Sequence, residues 1–175
     1  MKFNFYGFKA IYLHEMDRFR RTLGQSLLSP VISTCLYFIV FGSVIGGYVE
    51  NIDGVSYGSY IVPGLLMLTL LTQSISNTSF GIFFPKFNGT IYEILAAPIS
   101  TFEIVLAFVS AGATKTLIVG TVIFITASFF VDVEVQFPLL MVFLLILVSF
   151  TFALFGFLIG IMSKDFEQMS IIPSL

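Results

Sequence analysis

The chain has 175 residues, 57% of them hydrophobic and only 10% charged, with a formal net charge of −2 and a mean hydropathy of +1.02. That is too little polar surface to clothe a soluble globule of this size, so lipid is the expected solvent for most of the chain. A single cysteine, Cys35, and a single histidine, His14, exclude a disulfide framework and a metal centre built on those residues.

Ahead of the first apolar run, Phe5, Phe8, Tyr12, Met16, Phe19 and Leu23 recur at helical spacing. They predict an amphipathic interfacial helix over 1–25, its aromatic stripe in the acyl boundary. Lys9, Asp17, Arg18, Arg20 and Arg21 occupy its other face, toward anionic lipid or a partner. The length of the apolar run that follows argues against a cleaved signal peptide.

Residues 22–49, 54–85 and 135–163 contain no Asp, Glu, Lys or Arg, and 104–131 contains only Lys115. Each stretch is long enough to cross a hydrocarbon core of about 30 Å as about 20 helical residues. The expected spans are 27–49, 60–84, 104–131 and 138–163, in one membrane domain covering 1–175. Ser29-Pro30 is a start signal for the first, and Pro63-Gly64 a kink or start near the outer end of the second. Gly42 and Gly46, and Gly156 and Gly160, are small-residue helix contacts.

The inner half of the second span is polar. Thr69, Gln73 and Asn77 fall at i, i+4 spacing on one face, as glue between helices or as the lining of a pathway. The loop 86–99 holds an Asn88-Gly89-Thr90 turn with a possible helix cap, then Ile91, Ile94 and Leu95 as one apolar face, and Pro98 as a stop. A short helix lying against the membrane is expected there.

Lys115 is the one charge inside a span and therefore a functional candidate. With the outer helix end near Phe130 and Asp132, it lies roughly 22 Å below that end at ~1.5 Å per residue, leaving roughly 8 Å to the inner edge of the core. Lys115 then either snorkels to water and headgroups or places a charge in a substrate cavity.

Lys2, Lys9, Arg18, Arg20 and Arg21 precede the first span, Lys86 follows the second and Lys164 the fourth, while the alternate loops carry Glu50, Asp53, Asp132 and Glu134. The positive-inside rule puts both ends of a multi-pass membrane protein in the cytoplasm. Catalytic groupings are not visible: His14 has Glu15 and Asp17 beside it in sequence, but neighbours along a helix do not face one another. Lys115-Thr116 lacks the glycines of a phosphate loop.

These segments, in this order, resemble the transmembrane subunit of type-2 ABC exporters. LLSPVISTCLYFIVFGSVIG is similar to that family's first span, and GVSYGSYIVPGLLML to the outer loop leading into its second. SISNTSFGIFFPKFNGTIYEILAAPISTFEIVLAFVSAGATKTLIVG resembles its coupling-helix region and third span, and SKDFEQMSIIPSL the approach to its fifth. The resemblance implies an all-α membrane fold, an interface helix and a coupling helix. It assigns Lys86, Phe87, Asn88, Thr90, Tyr92 and Glu93 to the segment that meets a separate ATPase subunit. Pro63, Gly64, Asn77 and Lys115 match positions of the family pattern.

It further implies a permease working as a dimer with a second copy, exporting a drug-like, lipid or glycan substrate. The chain itself would hold no cofactor, ATP and Mg being bound by the partner ATPase, and no nucleic acid. In the family a fifth and a sixth span follow the point where this chain reaches Leu175, which implies a fragment, a truncated product, or completion by another chain. The alternatives are a stand-alone four-span channel or scaffold, a non-functional fragment, and, least supported, a lipid-modifying membrane enzyme.

Overall fold

A computed structural model describes residues 3–44, 51–52, 55–131 and 135–169. In chain order it contains α1 (Phe5–Arg21), α2 (Leu23–Val44), β1 (Asn51–Ile52), β2 (Val55–Ser56), α3 (Tyr57–Asn88), α4 (Ile91–Ala96), α5 (Thr101–Ser128) and α6 (Pro138–Met162). The protein is an all-α membrane protein apart from a two-residue antiparallel pairing of β1 with β2. Four of the helices, α2, α3, α5 and α6, are long and apolar enough to cross a bilayer. Glu50, Asp53, Asp132, Glu134 and Gly46 lie outside the described residues.

Several helix boundaries differ from those expected, for identifiable reasons. Helix α2 begins at Leu23, so Pro30 lies inside it. Only one turn boundary, at Thr22, separates α2 from α1, and proline is tolerated within membrane helices because side chains and neighbouring helices satisfy the freed backbone groups. Helix α3 starts at Tyr57, its N-cap Ser56 accepting from Ser59 N, and runs through both Pro63 and Pro85 to the left-handed Gly89. The expected loop at 86–99 therefore begins only at Gly89, and Lys86, Phe87 and Asn88 form the last turn of α3. Helix α5 starts at Thr101 because Ser100 and Glu103 form a reciprocal capping box, which satisfies two N-terminal donors.

Helix α5 is the axis of the bundle, contacting α1, α2, α3 and α6. Its buried face includes Ala107, Ala111, Gly112 and Gly120, small residues that let neighbouring backbones approach. Among its residues with described side chains, helix α2 buries Pro30, Thr34 and Phe38, a narrow i, i+4, i+8 line, and leaves Leu28, Ile32, Leu36 and Ile39 exposed. Helix α6 likewise turns Leu139, Phe143, Leu147 and Phe155 outward. Such apolar exterior surface is stable where acyl chains replace water.

The small residues Ser149, Ala153, Gly156 and Gly160 form the inner face of α6 against α3. A Cβ on Gly156 would overlap the backbone of Ile75, and one on Gly160 would overlap Ser79. Polar side chains inside the helices are largely satisfied locally. Thr69, Thr116, Thr121 and Thr126 donate to the carbonyls of Leu65, Gly112, Leu117 and Val122, each four residues back.

Candidate functional site

Helix α1 does not simply rest on the membrane with its aromatic stripe in lipid, as its periodicity predicts. It packs lengthwise and parallel on α5. Gly7 abuts Ile99, the Asn4 side chain donates to Pro98 O at 3.1 Å, and Tyr12 Oη donates to Thr114 Oγ1 at 3.1 Å. Phe19 packs with Val119 and Ile123 further along. The buried line of α1 is Ile11, Glu15 and Phe19, while Phe5 remains 59% exposed. A carboxylate thus occupies the centre of the docked face.

That carboxylate meets the single charge of the spans. Lys115 Nζ lies 2.7 Å from Glu15 Oε2, with both side chains 3% exposed. Helical side chains lean toward the N-terminus of their own helix. Lys115 therefore reaches toward the Thr101 end of α5, as a snorkelling lysine would, but Glu15 meets it there. Arg18 Nη2 contacts the same Oε2 at 2.7 Å. Gly81 of α3 closes the cluster, and a Cβ there would stand 3.2 Å from Glu15 Oε2. Neither expectation for Lys115 named this partner. The available signal was an acid inside an otherwise apolar stripe, at i, i+4 from both Ile11 and Phe19.

The polar face of α3 is offset from the expected one. Thr69, Gln73 and Asn77 are half-buried, and Asn77 Nδ2 donates to Gln73 Oε1 at 3.3 Å. The fully enclosed polar residues are Ser74, Thr78 and Ser79, against α5 and α6. Thr78 occupies the space left by the missing side chain of Gly112. Pro63 and Gly64 are exposed near the β-hairpin end of α3. A cavity of about 240 Å³ opens between the α1–α2 junction and α3, lined by Arg18, Ser26, Asn77, Lys115, Phe80 and Phe84 among others.

At the opposite end of α3 from the hairpin, the residues around α4 divide between structural and exposed roles. Lys86 Nζ donates to Ile161 O and to Ser163 O, the latter at 2.8 Å, placing a cation on the C-terminal carbonyls of α6. Phe87 meets Phe166 with ring centroids 5.0 Å apart. Thr90 sits at the N-cap position of α4, but its hydroxyl turns back to Pro85 O. Asn88 and Glu93 are exposed, and Tyr92 is 73% exposed.

Ile91 and Ile94 pack against the core, whereas Leu95, expected on the same face, is 57% exposed. At ~100° per residue the midpoint of Ile91 and Ile94 lies about 70° from Leu95, so a helix anchored on that edge turns Leu95 outward beside Tyr92.

Comparison with known proteins places these features in a family. The profile described as ABC-2 type transporter matches residues 6–175. The chain is 36% identical over 166 residues to "Inner membrane transport permease YadH" of Escherichia coli (strain K12), covering 95% of this chain and 65% of that protein. It is 23% identical over 121 residues to "Nodulation protein J" of Azorhizobium caulinodans, covering 69% of this chain and 48% of the relative. It is 25% identical over 120 residues to the protein of the same name from Neorhizobium galegae, covering 68% and 46%. No solved structure matches.

Proposed function

This chain belongs to the ABC-2 type transporter family, and we propose that it acts as the permease subunit of an ATP-driven exporter, pairing with a second permease copy and energised by a separate ATPase subunit. It spans 65% of the length of its YadH relative, so activity, substrate and partners belong to this proposal. Export of an amphipathic drug-like, lipid or glycan molecule fits a bundle whose charge and hydrogen-bonding groups lie between helices. In the same reading both ends are cytoplasmic, following the Lys/Arg asymmetry.

The observation that carries the proposal is the form of α4. A six-residue helix is fixed to the bundle by Ile91 and Ile94 and offers Tyr92, Glu93 and Leu95 outward. It joins α3 through only Gly89, left-handed at φ +80°, and Thr90, so displacement of α4 is delivered directly to a 32-residue helix. Lys86 fastens that helix end to α6, and the glycine contacts continue the attachment further along. Force applied at α4 would therefore move α3 and α6 together.

The test is the double substitution Tyr92→Ala with Glu93→Ala in the full-length permease. Membrane insertion should persist while co-purification with the ATPase and transport both fall. Unchanged association, transport and ATPase stimulation would remove the coupling role and favour a stand-alone channel or scaffold. Orientation is tested separately in a Cys35→Ser background, where cysteines at Asp53 and Asp132 should label from outside and one at Asn88 should not.

A further inference from the structure

The cavity beside α1 has more hydrogen-bond donors than the protein satisfies. Glu15 is the only carboxylate among the described residues in contact with Lys115 and Arg18, and both cations use the same oxygen. Asp17, the next acid on α1, pairs instead with Arg20 at 3.9 Å. The three-residue cluster therefore keeps a net positive charge. An ammonium carries three donors and a guanidinium five. Among the described residues Glu15 is the sole side-chain acceptor that either Lys115 or Arg18 reaches. Burial makes such a surplus costly unless an acceptor is supplied.

The position of the cavity narrows what supplies it. Charged residues end at Arg21 and do not recur in α2, so the α1–α2 junction marks the change from polar to apolar surroundings. Arg18, Ser26, Asn77 and Lys115 form the polar part of the wall, and Phe80 and Phe84, 45% and 43% exposed, form an apolar flank. This is a positive pocket with a greasy side, and the change from polar to apolar residues at the α1–α2 junction puts it at the level where headgroups meet acyl chains.

We propose that this cavity is a binding site for an anionic phospholipid of the surrounding bilayer, with the headgroup phosphate held by Arg18 and Lys115 and the glycerol and upper acyl region lying against Phe80 and Phe84. Arg18 is the principal contact, because it is a third exposed and keeps four donors free of Glu15. Lys115 supplies a fixed positive charge, held in place by Glu15. A bound phosphate also neutralises the charge left over in the pocket and so tightens the docking of α1. The inference rests on membrane placement and charge, and is independent of the coupling role of α4.

Native mass spectrometry of the permease, purified as it is assembled in the cell, tests this with phosphatidylglycerol and phosphatidylcholine of matched chains as probes. Phosphatidylglycerol should be retained about tenfold more tightly than phosphatidylcholine, which carries the same phosphate but adds a choline cation that the positive pocket repels. Arg18→Gln, which leaves the Glu15–Lys115 pair intact, should abolish the preference, and Ser26→Leu should weaken retention of both lipids by narrowing the pocket. Arg21→Gln, exposed and outside the cavity, should leave the preference as it is. Equal retention of the two lipids by the unaltered protein, or an undiminished preference in Arg18→Gln, would overturn the proposal. Displacement of phosphatidylglycerol by millimolar inorganic phosphate would overturn the lipid assignment in favour of a soluble anion.

Discussion

Two seams of the bundle, α3 with α6 and α1 with α5, are held by opposite means. Helices α3 and α6 meet along most of their length through Gly156, Gly160, Ala153 and Ser149, small groups that bring backbones together, with Lys86 fastening only the end. Helices α1 and α5 meet around Glu15 and Lys115, a charge pair enclosed by Ile11, Phe19 and Val119. The first seam depends on the absence of side chains and the second on two particular ones. Close packing tolerates small shifts in register poorly, because a backbone stands where any side chain would go. A buried ion pair tolerates replacement of both members but not loss of one.

That contrast sets the largest expected effect. Glu15→Leu alone strands the buried Lys115 ammonium, with an expected loss of about 3–5 kcal/mol, whereas Lys115→Leu leaves Glu15 paired with Arg18 and should cost less. Glu15→Leu should accumulate poorly in membranes or unfold at markedly lower temperature, while the two substitutions together should restore most of the stability. Next comes the small-residue seam. Gly156→Leu forces a side chain into the backbone of Ile75, at a cost of about 1–3 kcal/mol. No second substitution on a neighbouring side chain should rescue it, because the obstacle is main chain.

Lys86→Ala is expected to be milder. It removes the donor to Ile161 O and Ser163 O at an exposed helix end where water can substitute, for about 0.5–1.5 kcal/mol. Its sharper readout is local: amide exchange in the last turn of α6 should quicken while the centre of α6 is unchanged. The smallest effect belongs to Arg20→Ala. The Arg20–Asp17 contact is 3.9 Å long between side chains 76% and 61% exposed, so stability should shift by no more than ~0.5 kcal/mol.

The same two seams were unequally legible in the sequence. Charge-free stretches marked the four crossing helices because bilayer thickness imposes their length, and Gly156 and Gly160 were visible as a small-residue pair. The docking of α1 was not legible. A stripe counted from apolar residues alone passes over Glu15, although that acid lies on the same face as Ile11 and Phe19. Helix ends at Leu23 and Tyr57 were obscured by Pro30 and Pro63, which read as starts when hydrogen bonding is judged locally. By contrast, Ser100-Thr101-Phe102-Glu103 carries the capping-box pattern openly and marks the true beginning of α5. Leu95 was misplaced because helical periodicity gives relative angles on α4, and only packing decides which edge faces the bundle.

The central claim is that Glu15 and Lys115 act as one unit joining α1 to α5. A double-mutant cycle measures this most directly, using thermal unfolding of the full-length permease carrying Glu15→Gln, Lys115→Met, both, or neither. The account expects the double variant to be more stable than the sum of the single losses by about 2 kcal/mol, within the range seen for directly interacting residues. Single losses that add to within ~0.5 kcal/mol would show the two side chains to be independent and would contradict the docking of α1 through this pair.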